Sequence, residues 1–341
     1  MAETSTFTVP AGQAITVKLI NTVNFGPAQL HRFMAPPVPG METHPSNPSF
    51  SFLLEHSSGR KLVFDLGIRK DYQNYAPKIA EYIPTTNYKI EVTKNVIDIL
   101  EEEGIQGEDI EAVSLALGPY WRSFFVSIFN RLNWFKDAML PAAPQNPDSP
   151  LSESAFEGRN LREIAFEGEE CLKIGRFNAW DYFGDGSFYL LDSPGHAIGH
   201  LCGLARTTTN PDTFVLLGGD YLPVPECIQP HPCHPHGDAT FCPGGAWEEL
   251  QQSRGRGVND PLFTPTFGHD IPQIIETIGK LQEADCLDNV FVIIAHDATV
   301  RDCVDQFPLS LNRWKEQGWA KDLKWAFLRD AEVYWKSKGV I

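Results

Sequence analysis

The sequence predicts an α/β fold, and three observations carry that prediction. Three stretches, 188–200, 214–220 and 290–297, each begin as an apolar run of strand type and end at a turn that bears a histidine or an aspartate. Two earlier runs, 50–56 and 60–67, flank Ser57-Ser58-Gly59 and read as a β-hairpin with a glycine-containing turn. Segments of helical spacing alternate with strands in both halves, with no repeat, low-complexity tract or linker between them. A single domain over residues 1–341 is therefore expected.

Taken in order, residues 14–22 alternate apolar and polar as a half-buried strand does, and 35–49, rich in Pro, Gly, Ser and Asn, reads as a loop before the hairpin. Val92, Val96, Ile99 and Leu100 fall at helical spacing, with Gly104 placed to cap the C-terminus. A further strand is expected from Ile110. Four prolines mark 141–160 as loop, and 221–262, with His231, His234 and His236, reads as one long irregular segment. Asp270 is placed to cap a helix carrying Pro272 in its first turn, with Ile274, Ile275, Ile278 and Leu281 as its buried face. The tail, 306–336, sets Trp314, Trp319, Trp325 and Trp335 among charges and reads as a docked amphipathic helix.

Composition narrows the function classes. With 28 Lys and Arg against 44 Asp and Glu, the net charge is −16, which argues against nucleic-acid binding, because phosphate recognition rests on clustered cations. Seven scattered cysteines form no C-x-x-C pair, so neither a zinc knuckle nor a redox motif is indicated. No run approaches the ~18 apolar residues of a membrane span, and the first residues lack a basic region followed by an apolar stretch. A reduced, cytoplasmic setting is expected, with no membrane partner.

The turns after the three apolar runs read Pro194-Gly195-His196, Gly218-Gly219-Asp220 and Ala295-His296-Asp297, and the hairpin ends on Asp65-Leu66-Gly67. In this order the four motifs resemble those of the metallo-β-lactamase superfamily, and most closely its lactonase-like hydrolases, over about residues 50 to 330. The resemblance implies an αββα sandwich with a metal site at one edge of two central sheets. It implies that His196 binds a first zinc, that Asp220 bridges to a second, that His296 binds the second, and that Asp65 orients ligands from behind. The implied reaction is opening of a small cyclic ester or amide by a metal-activated hydroxide.

One departure weighs against that reading. The family carries H-x-H-x-D-H directly after the strand that here begins at Ile110, yet this chain continues Leu115-Ala116-Leu117-Gly118-Pro119-Tyr120-Trp121 and has no histidine between His56 and His196. Within an anomalous segment, 114–134, Leu115–Pro119 resembles the family's next strand arriving too early, and 121–134 is an apolar-aromatic run with no clear place in the family pattern. This is read as a segment lost and a short foreign one gained, as a faulty gene model or splice variant produces; an uninterrupted transcript through 110–140 would contradict it. Two readings stand at this point: a zinc-dependent hydrolase impaired in this form, or a metal-poor, non-catalytic relative that keeps the fold. His196 alone also fits a turn histidine donating to a backbone carbonyl, Asp220 a turn cap, and His296-Asp297 a core-edge pair. His200, four residues after His196, is read as a packing or hydrogen-bonding residue, and His231–His236 as a solvent-exposed stretch.

Overall fold

The computed structural model describes residues 7–114, 127–130, 142–149, 152–153, 162–197, 199–219, 245–257, 260–324 and 326–339. Asp220, the 231–236 histidine cluster, most of the 114–134 stretch and Trp325 lie outside these residues. Strands follow in the order β1 (Thr16–Gly26), β2 (Ala28–Gln29), β3 (Met34–Ala35), β4 (Thr43–His44), β5 (Asn47–Glu55), β6 (Lys61–Phe64), β7 (Lys89–Val92), β8 (Ile110–Ser114) and β9 (Ser127–Asn130). The second half adds β10 (Arg162–Ile164), β11 (Leu172–Ile174), β12 (Phe177–Asp181), β13 (Phe188–Asp192), β14 (Leu201–Thr208), β15 (Thr213–Leu217), β16 (Thr264–Pro265) and β17 (Val290–Ile293). They build a seven-stranded sheet, β10-β9-β8-β6-β5-β1-β7, and a six-stranded sheet, β11-β12-β13-β14-β15-β17, beside two small two-stranded pairings.

Period-two alternation explains why both sheets are buried on both faces. Phe50, Phe52, Leu54, Leu62 and Phe64 of the first sheet meet Phe188, Leu190, Val215, Leu217 and Ile293 of the second in one core. The alternate residues Tyr189, Leu191, Phe214 and Leu216 turn outward onto Ile274, Ile278, Leu281 and Ala284 of the Ile271–Asp285 helix. On the first sheet Leu53, Val63 and Val113 likewise meet Val96 and Leu100 of the Val96–Glu102 helix. The layers are thus helix, sheet, sheet, helix, and a run such as 214–217 is apolar throughout because each face has a cover. Where the sheets approach, Phe64 and Phe188 meet edge to face at 6.3 Å, and a Cβ on Gly203 would lie 2.9 Å from the Phe188 ring.

The hairpin forms as expected, with Phe52 opposite Phe64, and the first strand runs on to Gly26. Five details differ. Val92 ends a strand, and the helix starts only at Val96, where Asn95 and Asp98 form a capping box. The 35–49 stretch is partly paired, β2 with β4 and β3 with β16. Within 221–262 lies a helix, Gly245–Ser253, because Trp247 and Leu250 at helical spacing pack with Met34, Phe263 and Trp335. Ile275 is 48% exposed, one step round the helix from the buried Ile274. The tail is a series of short helical turns rather than one helix, since Gly318 at φ +76° breaks it, but Trp314 and Trp335 dock fully as its anchors.

Candidate functional site

Strand direction gathers the singled-out residues. β13 and β15 are each antiparallel to β14, and β15 is parallel to β17, so all three strands point the same way. The loops bearing His196 and His296 therefore leave the same edge of the second sheet. Asp220 lies outside the described residues, but Gly219 immediately before it accepts from the Ala295 N–H at 2.9 Å, one residue before His296. On the first sheet β6 ends beside the start of β5, and the Gly67 position presses on Ser49. The sheets are tied together at this edge, with the Phe50 N–H donating to the Ala295 carbonyl at 2.9 Å. Leu66 and Ala197, each one residue past a singled-out side chain, share a core cluster. Asp65, His196 and His296 thus come to one edge of the sandwich.

Each is locally constrained. Asp65 adopts φ +60°, and its Oδ1 accepts from the Leu66 N–H at 2.6 Å and the Gly67 N–H at 3.1 Å. The side chain thus caps the turn that follows β6. The His196 turn is clamped to the start of the Ile271–Asp285 helix through three successive carbonyls. Thr277 donates to Pro194 at 2.8 Å, the Asp270 N–H to Gly195 at 2.9 Å, and the His269 N–H to His196 at 3.0 Å. Gly195, at φ +123°, leaves room only for a hydrogen, since a Cβ would sit 2.4 Å from the Ile274 nitrogen. Asp270 caps that helix by accepting from the Gln273 N–H at 3.0 Å. Buried Ser193 and His200 close the turn from the other side, Oγ to Nδ1 at 3.0 Å, while the His196 and His200 rings meet edge to face.

His296 is held through one ring nitrogen. Its Nδ1 lies 2.8 Å from the Pro48 carbonyl, which only accepts, so Nδ1 carries a proton and donates it there. That is the arrangement a histidine needs to ligate a metal, with the carbonyl fixing the ring from behind. Phe25 packs against the ring edge to face at 5.3 Å. The adjacent Asp297 caps the short Ala298–Arg301 helix through the Thr299 N–H, and burial pushes its carboxyl above the usual range. Beneath the Gly218-Gly219 turn, burial pushes the Cys202 thiol up to about 12, and its sulfur donates to the Gly218 carbonyl.

The donor set fits half of a two-metal centre. His296 is oriented for ligation and His196 is held at the same edge. β8, which should deliver the histidine-rich loop, runs parallel to β6 with Ser114 opposite Phe64, so it ends at this edge too. The stretch that follows it, residues 115–195, contains no histidine. Among the described residues no three His, Cys, Asp or Glu side chains gather around one point. A catalytic zinc takes three protein ligands, so the described residues alone do not complete a pair of zinc sites. Sequence reasoning missed the supports Pro48, Thr277 and Ser193; their partners lie 248, 83 and 7 residues away, and no local pattern marks them.

Layers and edge together define a metallo-β-lactamase fold. Among solved structures, an N-acyl homoserine lactone hydrolase with its product N-hexanoyl-L-homoserine at the catalytic metal centre matches with a TM-score of 0.52 at 13% identity, over 87% of this chain and all of that one. No family model matches the sequence. A gamma-lactamase of Fusarium pseudograminearum, FDB1, is 36% identical over 354 residues, covering 94% of this chain and 84% of that protein. A metallo-hydrolase of Annulohypoxylon moriforme, mfmC, is 37% identical over 338 residues, covering 93% and 87%. The chain belongs to the metallo-β-lactamase superfamily, with a gamma-lactamase and a metallo-hydrolase among its relatives. The alignment with FDB1 is longer than the chain's own 341 residues, so that relative has stretches with no counterpart here.

Proposed function

We propose that this protein is a hydrolase of small cyclic amides or esters whose site is incomplete in the present chain. The reaction class is supported by the gamma-lactamase and metallo-hydrolase relatives, which match nearly the whole sequence. The observation that carries the reading is His296, whose ring is fixed through Nδ1 by the Pro48 carbonyl at the edge shared with His196 and Asp65. In this reading His196, Asp220 and His296 are the remaining zinc ligands, and Asp65 stiffens the facing loop through its bonds to Leu66 and Gly67. Zinc, when bound, supplies Lewis acidity and an activated water. The chain's own contribution is a rigid edge, held by the Pro194–His196 clamp and the Ala295 bridge.

A second reading, a non-catalytic relative that keeps the fold as a small-molecule binder, is favoured by the histidine-free residues after Ser114. Turnover on a panel of γ-lactams and lactones separates the two. The hydrolase reading expects weak opening in the chain as written, lost in His196→Ala. It expects a gain of at least roughly 10²-fold, at the low end of what positioned catalytic groups supply, once an H-x-H-x-D-H segment is inserted after Val113. Ligand binding without turnover in both forms would establish the non-catalytic reading.

A further inference from the structure

At the opposite edge of the sandwich, His56 follows the last residue of β5, eight residues and about 26 Å along an extended strand from Pro48. Its ring is sandwiched between two polar side chains. Ser58 Oγ lies 2.7 Å from Nδ1, and Asp185 Oδ2 lies 2.7 Å from Nε2. The Ser58 backbone N–H also points at Nδ1, at 3.2 Å, and an N–H only donates. Nδ1 is therefore the lone-pair nitrogen, and Nε2 carries the proton that it donates to Asp185. Asp185 is held in turn by the Ser187 N–H on Oδ1 at 3.1 Å. The imidazole plane is fixed by stacking on Phe183, with ring centres 4.4 Å apart, and the Arg60 guanidinium lies 4.6 Å from the same Phe183 ring. The His56 side chain is 10% exposed, whereas Ser58 sits on the exposed hairpin turn.

We propose that Ser58, His56 and Asp185 form a second, metal-independent nucleophilic site that accepts small activated acyl or phosphonyl groups. The hydroxyl, base and orienting carboxylate stand in the order that such chemistry requires. Ser58 Oγ attacks the acyl carbon while its proton passes to His56 Nδ1, and the imidazolium is stabilised by Asp185. The carbon–oxygen bond to the leaving group breaks, and that group departs with the proton from Nδ1. Water then attacks the acyl-serine, gives its proton to Nδ1, and releases a carboxylic acid as Ser58 regains its hydrogen. Because Ser58 stands on an open turn, the acyl donor is small and its leaving group good. This site is independent of the metal-type edge.

A fluorophosphonate probe tests the proposal directly, since its phosphorus–fluorine bond breaks as a phosphorus–oxygen bond to serine forms and fluoride leaves. Mass-spectrometric mapping of the folded full-length chain is expected to place one adduct on Ser58, unaffected by chelator and absent in Ser58→Ala. The labelling rate is expected to fall on the order of 10²-fold in His56→Gln and at least ~10-fold in Asp185→Asn, the variant to rely on where His56→Gln does not fold. A burst of p-nitrophenolate from p-nitrophenyl acetate, lost in Ser58→Ala, is the matching acyl readout. No adduct on Ser58, or equal labelling in all folded variants, would overturn the assignment.

Discussion

Replacing Gly195 by alanine probes how the His196 turn is held. Two separate penalties are expected. The first is conformational: at φ +123° an L side chain is strained by roughly 1–2 kcal/mol. The second is steric: the new methyl would lie 2.4 Å from the Ile274 nitrogen and 2.8 Å from the Gln273 carbonyl carbon, both backbone atoms of a helix end that cannot rotate away. Overpacking of this kind costs about 1–3 kcal/mol, so the total is about 2–5 kcal/mol. With a urea dependence near 3 kcal/mol per molar, the unfolding midpoint should fall by roughly 1 M. Gly104→Ala supplies the control, because Gly104 has φ +80° and nothing within 4 Å of the added carbon. Only the conformational penalty applies there, and the midpoint should shift by about half as much or less. Equal shifts in the two variants would refute the claim that the helix start clamps the turn.

Other perturbations follow from the same contacts. Phe188→Ala empties the centre of the intersheet core and should destabilise by about 3–5 kcal/mol in the same assay. Asp270→Ala removes the cap of the Ile271–Asp285 helix and should lower stability by about 1 kcal/mol. Burial opposes ionisation of Asp185, but bonds from Ser187 and His56 outweigh it and hold the carboxyl below its ordinary 3.8. The stabilisation is therefore complete above pH 3.8 and is lost as pH falls through the lower folded-state value. Asp185→Asn should be less stable than the parent at neutral pH, with the gap closing below pH 3.8 when midpoints are compared across pH. Cys202, buried with its thiol pushed up to about 12, should resist iodoacetamide at pH 8 while exposed Cys286 and Cys303 react, as peptide mapping would show.

Much of the architecture was legible because burial writes itself into the sequence. Strands covered on both faces carry continuous apolar runs, such as 214–217, and the hairpin turn at Ser57-Ser58-Gly59 announces itself by its glycine. The edge site was legible where a motif is local, as at Pro194-Gly195-His196, where the close approach of a helix explains the glycine. What escaped was long-range. Ile275 and Ile274 are alike in sequence, and only the direction of packing separates them. The Gly245–Ser253 helix was hidden by the prolines and glycines before it, although Trp247 and Leu250 already bore the spacing. His56 looked like a plain hairpin residue, because its partner Asp185 is 129 residues distant.

Zinc content of the purified chain tests the central claim most directly, namely that this fold keeps only part of its metal edge. Equilibrium dialysis against zinc followed by elemental analysis should give less than one zinc per chain, falling further in His196→Ala and in His296→Ala. Two tightly held zincs per chain, or zinc binding indifferent to both histidines, would contradict it.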